Sequence, residues 1–269
     1  MKKIIAIALA VVLCLSLAAC AGSGENDKTI TIAASATPHA EILAVAKEVL
    51  AAEGWELKIV EYAEYVVPNN VVDDGEMDAN YFQHLPYLEN FNGENGTALV
   101  SVAAIHYEPF GIYPGNKSSV QELVEGDQIA IPNDGSNRAR ALLLLQYYGL
   151  IILDDNADMS ATVLDIVENP LNLEIVEMEA AQIPGVRDSV ALAVINGNYA
   201  LLAGLNVTQD AIAFEDPTSV SAQTFANILV VKEGNENAEK IQALKKALMS
   251  QEVKTFIEET YAGAVIPLF

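Results

Sequence analysis

The sequence predicts an α/β fold built as two lobes. Strand-like runs alternate with amphipathic helical segments along the chain, a pattern typical of α/β folds with largely parallel sheets. Residues 97–113 form a β-rich run longer than an ordinary strand of about 5–6 residues, so we expect this run to cross between lobes. A second crossing is expected near 219–231. The crossings divide the chain into lobe 1 (28–112 and 224–269) and lobe 2 (113–223), and the two crossover segments form a hinge.

The N-terminus has the pattern of an export signal. Lys2 and Lys3 precede an apolar run that is short for a membrane span, and small residues follow it. The sequence Leu-Ala-Ala-Cys that ends at Cys20 resembles the bacterial lipobox. This resemblance implies that 1–20 acts as a lipoprotein signal peptide and that Cys20 is acylated; an uncleaved signal anchor is the alternative. The small, polar residues 21–28 are expected to form a flexible tether.

Cysteine content and charge exclude several classes of function. The other cysteine, Cys14, lies within the predicted signal peptide, so we expect no disulfide, thiolate-metal site or cysteine nucleophile in the mature domain. The whole chain has a net charge of −23, with 37 acidic side chains against 14 basic ones. Such a surface is a poor partner for nucleic acid and for anionic head groups, so membrane attachment is expected through the lipid alone.

The periodicity of apolar residues assigns the elements between the tether and the C-terminus. Val, Ile and alternating apolar residues predict strands, and apolar residues at helical spacing predict helices. The predicted strands are 29–33, 57–60, 79–82, 97–113, 129–131, 173–176, 191–195 and 226–231. The predicted helices are 38–52, 69–74, one beginning near 86, 120–124, one ending before 149, 161–167, 181–188, 238–249 and 253–261.

The segment 128–149 predicts a strand, a tight turn and the start of a helix. Gly135 is expected to adopt a positive φ in the turn, Ser136 or Asn137 to cap the helix, and Gly149 to end it. A helix N-terminus in such a corner suits an anion. Arg138 and Arg140 follow but face different directions, because residues two apart on a helix point about 200° away from each other. We expect Arg140 to clamp a carboxylate and Arg138 to be solvated or interdomain; two ordinary surface arginines are the alternative.

Polar and aromatic residues near strand ends predict a ligand cleft. Four aromatic side chains could form a slot with polar edges, which suits a thioether, although they could equally be core. They are Tyr65, Phe82, His84 and Tyr87. Asn196 and Asn227 each lie at one end of an apolar strand and could bind an amino group and a carboxylate, or could act as turn residues.

Several of these stretches together resemble one family. The chain is similar to the NlpA-type lipoproteins, the methionine-binding components of bacterial ABC importers. The resemblance rests on 36–43, 65–69, 78–87, 129–134, 137–145, 181–182, 195–200 and 226–227. It implies a two-lobe periplasmic-binding-protein-like fold of type II, with no cofactor and no catalytic residue. It also implies that Arg140 with Asn137 holds the ligand carboxylate, that Asn196 and Asn227 hold its backbone groups, and that Tyr65, Phe82, His84 and Tyr87 enclose its side chain.

The expected partners are methionine or a methionine-like amino acid or dipeptide, an ABC permease and its ATPase. We expect a monomer, attached by lipid to the extracytoplasmic face of the cell membrane. A zinc- or manganese-binding lipoprotein of an ABC importer is the alternative, because His39, His84 and His106 accompany many carboxylates. No two of these histidines have close ligand spacing along the chain, which weighs against a metal site. No Gly-x-Ser-x-Gly or His-Glu-x-x-His motif predicts an enzyme.

Overall fold

The computed structural model describes residues 28–219 and 221–269. The predicted signal peptide, the lipidation site Cys20 and the tether up to residue 27 lie outside the described residues. The described chain forms two sheets of six and five strands and a small two-stranded sheet, with helices around them. No helix in the described ranges combines the length and apolar character that a membrane span requires.

The strands are numbered in chain order. They are β1 (Thr29–Ala34), β2 (Glu56–Glu61), β3 (Ala79–His84), β4 (Leu99–Tyr107), β5 (Gly111–Pro114), β6 (Gln128–Pro132), β7 (Ile152–Leu153), β8 (Ile166–Glu168), β9 (Glu174–Met178), β10 (Leu192–Ile195), β11 (Ala213–Phe214), β12 (Ala226–Lys232) and β13 (Ile266–Pro267). The six-stranded sheet has the order β13-β4-β12-β3-β1-β2 and the five-stranded sheet has the order β11-β5-β10-β6-β9.

The helices also alternate with these strands along the chain. The longer ones are α1 (Glu41–Ala52), α2 (Val66–Asp73), α3 (Leu85–Asn95), α4 (Gly135–Tyr147), α5 (Gly197–Leu202), α6 (Glu239–Leu248) and α7 (Gln251–Tyr261). Short helical turns are Ala36–Ala40, Val120–Glu122, Val163–Asp165, Ala180–Gln182, Ile183–Val186, Arg187–Ser189, Val207–Asp210 and Ser221–Thr224.

The chain passes between the two large sheets twice. After β4 it leaves the six-stranded sheet and, after three intervening residues, begins β5 of the five-stranded sheet. It returns after β11 and re-enters the first sheet as β12, which pairs antiparallel with both β3 and β4. This pairing sets Asn227 opposite His84 on one side and His106 on the other. The predicted two-lobe α/β class with two crossovers is confirmed, while the stated lobe boundaries stay a prediction.

Each sheet has a largely apolar interior. Helix α1 buries Ile42, Leu43, Ala46 and Leu50, which recur at the three- and four-residue spacing of one helix face. Helix α4 buries Leu142 and Leu145 against the strands of the five-stranded sheet. Burial of these faces fixes the helices beside the strand ends, where the polar side chains of the site lie.

Some predictions of local structure are wrong. The sheets are mixed rather than largely parallel, because β12, β4 and β13 pair antiparallel in one sheet and β5 pairs antiparallel with β10 and β11 in the other. The helix predicted at 161–167 is a single 3-10 turn followed by the strand β8, which pairs with β7. The apolar spacing there reflects packing of short irregular segments.

The start of α4 also differs from the prediction. Asp134 caps the helix, and its carboxylate accepts a hydrogen bond of 2.9 Å from the backbone N–H of Asn137. Gly135 is the first helical residue and has no positive φ. Its lack of a side chain matters for another reason, since a Cβ there would lie 2.8 Å from Oδ1 of Asn90. Gly149 does follow the end of the helix with φ 73°, as predicted.

Candidate functional site

A cavity lies between the two large sheets, where the strand ends and the crossovers meet. Its volume is about 20 Å³, which accommodates about one water molecule. An occupant the size of an amino acid therefore requires the lobes to part. The cavity is lined by Tyr65, Phe82, Gln83, His84, Tyr87, Glu108, Asn137, Arg140, Asn196, Gly197, Asn198 and Asn227. This set includes all eight ligand-binding residues predicted from the sequence.

Two larger depressions share residues with this cavity. One, of about 240 Å³, includes Tyr65 and Tyr87 of the central cavity and also Glu64 and Tyr199. The other, of about 350 Å³, includes Arg140 and is bordered by Phe225. The central cavity is thus the narrow part of a longer cleft between the lobes.

Aromatic rings enclose one end of the cavity. The centroid of the Tyr65 ring lies 5.7 Å from that of Phe82, 5.5 Å from that of Tyr87 and 5.0 Å from that of Tyr199. Tyr65 precedes α2, Phe82 belongs to β3, and Tyr87 lies in the first turn of α3. These rings offer polarizable faces and edges, which favour a flexible apolar group containing sulfur.

Arg140 is buried and already paired. Its Nε donates to Oε1 of Glu215 over 2.8 Å, its Nη2 donates to Oε2 over 2.5 Å, and Nη2 also donates to the Glu108 carbonyl over 3.1 Å. The guanidinium carbon lies 4.0 Å from the centroid of the Phe225 ring and 4.9 Å from that of Phe110. Burial alone would raise the pKa of Glu215, but the adjacent guanidinium outweighs burial and holds the pKa below its usual value. Arg140 is predicted from the sequence to clamp a ligand carboxylate, but in this structure its Nε and Nη2 already bind both carboxylate oxygens of Glu215.

Arg138 lies apart from the cavity, as predicted. It makes a partly exposed ion pair with Glu177, with 3.4 Å between Nη1 and Oε2. The two arginines of α4 thus have different environments, although they are two residues apart.

Asn137 connects the lobes through its side chain. Its Oδ1 accepts hydrogen bonds from Nε2 of His84 over 3.1 Å and from Nδ2 of Asn196 over 2.8 Å, and its Nδ2 donates to Asp134. Burial lowers the pKa of His84 to about 3, with the Arg140 charge acting in the same direction, so the imidazole is neutral. Its Nδ1 accepts from the backbone N–H of Tyr87 at the start of α3, which fixes the ring.

One acceptor of this amide network has no partner. Among the residues that the structure describes, Asn196 Oδ1 is a buried side-chain atom without a hydrogen-bond partner. A buried amide oxygen left unpaired costs about 1–3 kcal/mol, so a donor from a ligand would be favourable here.

Glu108 follows β4 and is buried beside a chain of neutral groups. Its Oε1 accepts from Nε2 of His106 over 2.7 Å, and Nδ1 of His106 accepts from the Tyr81 hydroxyl. Burial raises the pKa of Glu108, although the positive charge of Arg140 opposes this. His39 lies nearby, with Nε2 donating to Oδ1 of Asn227 over 2.9 Å.

Two histidine side chains and one glutamate side chain lie close enough together in this region to be possible metal ligands. His39, His106 and Glu108 offer ligand atoms within 4.8 Å of one another, a grouping that the sequence spacing did not reveal. Both imidazoles are engaged through both nitrogens, since Nδ1 of His39 also bonds to Ser35 over 2.6 Å. Burial lowers the pKa of His39 to about 4 and that of His106 to about 3. The group thus acts as a hydrogen-bonded support for Glu108 and Asn227, and the metal-binding alternative is not supported.

Further hydrogen bonds join the lobes next to the cavity. The Tyr65 hydroxyl donates to Oδ1 of Asn198 over 2.6 Å, and the Tyr199 hydroxyl donates to the Ala63 carbonyl over 3.1 Å. The described conformation is therefore a closed one.

Four of the lining residues, Gln83, Glu108, Gly197 and Asn198, were not predicted from the sequence. Glu108 had a detectable signal, because it is a charged residue within a β-rich apolar run at the predicted crossing. The need for glycine at position 197 is visible only in the structure, where a Cβ would lie 2.5 Å from Oε2 of Glu108.

Comparisons with known proteins agree with this architecture. The family model described as NlpA lipoprotein matches residues 30–269. The methionine-binding lipoprotein MetQ of Bacillus subtilis is 40% identical over 242 residues, which cover 88% of this chain and 86% of that protein.

Solved structures are similar as well. A lipoprotein from Ruminococcus gnavus has 61% sequence identity and a TM-score of 0.89, covering 90% of this chain and 100% of that one. A nutrient-binding protein from Burkholderia cenocepacia, solved bound to methionine, has 42% identity and a TM-score of 0.85, covering 89% of this chain and 100% of that one. The chain therefore belongs to the NlpA lipoprotein family.

Proposed function

We propose that this protein is an extracytoplasmic solute-binding lipoprotein that captures methionine, or a methionine-like amino acid or dipeptide, for an ABC importer. The observation that carries the proposal is one interlobe cavity that combines an aromatic enclosure with Arg140 and the amides of Asn137, Asn196 and Asn227. The B. subtilis relative is named for methionine binding, and the B. cenocepacia structure contains methionine.

The two ends of the cavity match the two ends of a methionine zwitterion. Burial of a methionine side chain contributes about 1.5–3 kcal/mol, and each sulfur–aromatic contact adds about 0.3–1.5 kcal/mol. Tyr65, Phe82, Tyr87 and the neutral ring of His84 supply these contacts. Arg140 contributes a positive charge and its remaining N–H groups to the ligand carboxylate, while Glu215 holds the guanidinium in place.

Capture requires the lobes to open and close. We take 28–112 with 224–269 as lobe 1 and 113–223 as lobe 2, with the crossovers as the hinge. Hydrogen bonds between Tyr65 and Asn198 and between Tyr199 and Ala63 stabilise the closed arrangement. Closure around a ligand is an established use of hinged two-lobe proteins.

The remaining parts of the proposal concern the cellular context. Residues 1–20 direct export, acylated Cys20 anchors a monomer to the membrane, and 21–28 form the tether. The loaded protein delivers its ligand to a permease driven by a cytoplasmic ATPase, and it binds without catalysing a reaction. Cys20→Ser should release the protein from the membrane fraction, as fractionation of expressing cells would detect.

Native mass spectrometry of the purified protein, followed by titration calorimetry, tests the ligand assignment. We expect one methionine per chain, and weaker binding of norleucine because it lacks the polarizable sulfur. Tyr87→Leu should lower methionine affinity at least tenfold, whereas Tyr147→Leu, on an exposed part of α4, should leave it unchanged. Absence of methionine binding, together with a zinc-dependent rise in melting temperature, would overturn the proposal.

A further inference from the structure

The described chain enters lobe 1 at the edge of the six-stranded sheet that lies opposite the cleft, which we call the base of lobe 1. Strands β1, β2 and β3 run parallel, and their first residues lie together, since Thr29 pairs with Glu56 and Ile32 with Ala79. Their last residues lead to the cleft, where His84 lines the cavity. The five residue steps of β1 separate the two edges by about 17 Å.

Residue 28 is fixed to this base. The Lys28 carbonyl accepts a hydrogen bond of 2.8 Å from the backbone N–H of Glu56, and Lys28 Nζ lies 5.1 Å from the centroid of the Trp55 ring. The proposed tether between Cys20 and Lys28 is therefore held at one end by the base of lobe 1. Eight residues span at most about 28 Å, so contact between lobe 2 and the membrane would require the tether to run back along the whole of lobe 1.

The base of lobe 1 has a mixed charge. Helix α6 crosses the beginnings of the strands there, because Lys240 pairs with Asp78 next to β3 and Lys246 pairs with Glu53 before β2. Together with Lys28, these lysines place positive charge around the point where the tether leaves the domain. The acidic side chains of the base are thus largely balanced at this edge.

Lobe 2 has a different charge pattern. Residues 141–186 include eight acidic side chains and no lysine or arginine. Strands β6 and β9 run parallel and lead to the cleft, where Asn133 lines an outer depression, so the turns before these strands form the opposite end, the pole of lobe 2. Glu125 and Glu174 lie at this pole, and both are exposed. An anionic lipid surface repels this region more strongly than the mixed surface of the base.

We propose that the anchored protein rests with the base of lobe 1 against an anionic lipid surface and with the cleft and lobe 2 directed outward. This inference rests on the acylation of Cys20 in the proposed function and adds the orientation of the anchored molecule. The lipid supplies attachment, while the tether exit and the charge difference between the lobes set the orientation. The cleft then faces free solute during capture, and transfer to a permease in the same membrane requires the molecule to turn about Lys28.

Energy transfer from a labelled residue to an acceptor lipid measures this orientation. Asn237→Cys places a donor dye on the turn after β12 at the base, and Val124→Cys places it at the pole of lobe 2; both side chains are exposed. Each variant then has one free thiol, since Cys14 is removed with the signal peptide and Cys20 is acylated.

The acylated protein is placed in phosphatidylcholine vesicles with or without phosphatidylglycerol. We expect transfer from position 237 to exceed transfer from position 124 by about twofold or more, and this ratio to rise with the anionic lipid. Raising the salt from about 0.1 M to about 1 M shortens the screening length from about 10 Å to about 3 Å and should reverse that rise.

Two charge reversals separate orientation from net charge. Lys246→Glu adds negative charge at the base, and Lys117→Glu adds the same charge at the pole of lobe 2, where Lys117 lies 3.9 Å from Asp127. On anionic vesicles the first variant should lower the transfer ratio and the second should raise it. Both lysines form partly exposed ion pairs, which contribute little to stability, and melting temperatures report whether the fold is retained.

The outcomes separate this inference from the proposed function. Equal transfer from positions 237 and 124, or greater transfer from position 124, would overturn the orientation while leaving methionine capture in place. Equal shifts of the ratio in the two lysine variants would exclude the charge difference as its cause. Mass spectrometry that finds Cys20 without lipid would overturn the anchor of the proposed function, and this inference with it.

Discussion

Removal of the charge on Glu215 should destabilise the protein strongly. In the native structure its carboxylate accepts from Arg140, from the Tyr107 hydroxyl over 2.6 Å and from the Phe110 backbone over 3.0 Å. Glu215→Gln keeps the size of the side chain but leaves the Arg140 guanidinium buried without its counter-charge. Breaking a buried pair in this way costs about 3–5 kcal/mol of unfolding free energy.

Helix α4 provides an internal control for this prediction. Arg138 and Glu177 have side chains 23% and 27% exposed, against 5% and 8% for Arg140 and Glu215. Solvent screens the first pair, so Glu177→Gln should cost less than about 1 kcal/mol. Urea unfolding followed by circular dichroism at pH 7 measures both variants.

A double variant separates loss of the pair from loss of one partner. Arg140→Met with Glu215→Leu removes both charges and fills the space with apolar atoms, which is often neutral for stability. We expect it to recover most of the unfolding free energy lost in Glu215→Gln but to bind methionine poorly. The reasoning is refuted if Glu215→Gln costs no more than Glu177→Gln.

Two further predictions concern lobe closure and acid stability. Tyr65→Phe removes the hydrogen bond to Asn198 and should weaken methionine binding by about three- to tenfold with little change in melting temperature, measured by calorimetry; unchanged affinity would contradict a role in closure. Burial lowers the pKa of His39 to about 4 and those of His84 and His106 to about 3. The unfolded chain, with histidine pKa near 6.5, binds more protons below that pH, so each histidine should cost about 2 kcal/mol of stability between pH 7 and pH 5. Denaturant unfolding at the two pH values measures this loss, and equal or higher stability at pH 5 would exclude it.

The sequence predicted the cleft better than the contacts within it. Residue patterns alone singled out Arg140, the four aromatic side chains, Asn196 and Asn227. The resemblance to NlpA-type lipoproteins added Asn137 and implied a role for each of the eight. The partner of Arg140 could not be predicted, because Glu215 is 75 positions away and comes from the return crossover. Sequence spacing likewise could not reveal that His39 approaches His106 and Glu108.

The errors in predicting the start of α4 have a similar cause. Asp134, Ser136 and Asn137 are all of residue types that favour the N-cap position of a helix. The sequence alone does not choose among them, and in the fold Asp134 is the N-cap of α4. Gly135 suggested a turn, but its close neighbour Asn90 comes from α3 in the other part of the molecule. Residues whose type reflects a long-range contact are the ones that pattern reasoning misassigns.

A crystal structure of residues 28–269 grown with L-methionine tests the central claim most directly. The account predicts one methionine between the two sheets, with its thioether among Tyr65, Phe82 and Tyr87 and its carboxylate beside Arg140. Methionine bound elsewhere on the molecule, or seated with its carboxylate away from Arg140 and its thioether outside the aromatic rings, would contradict it.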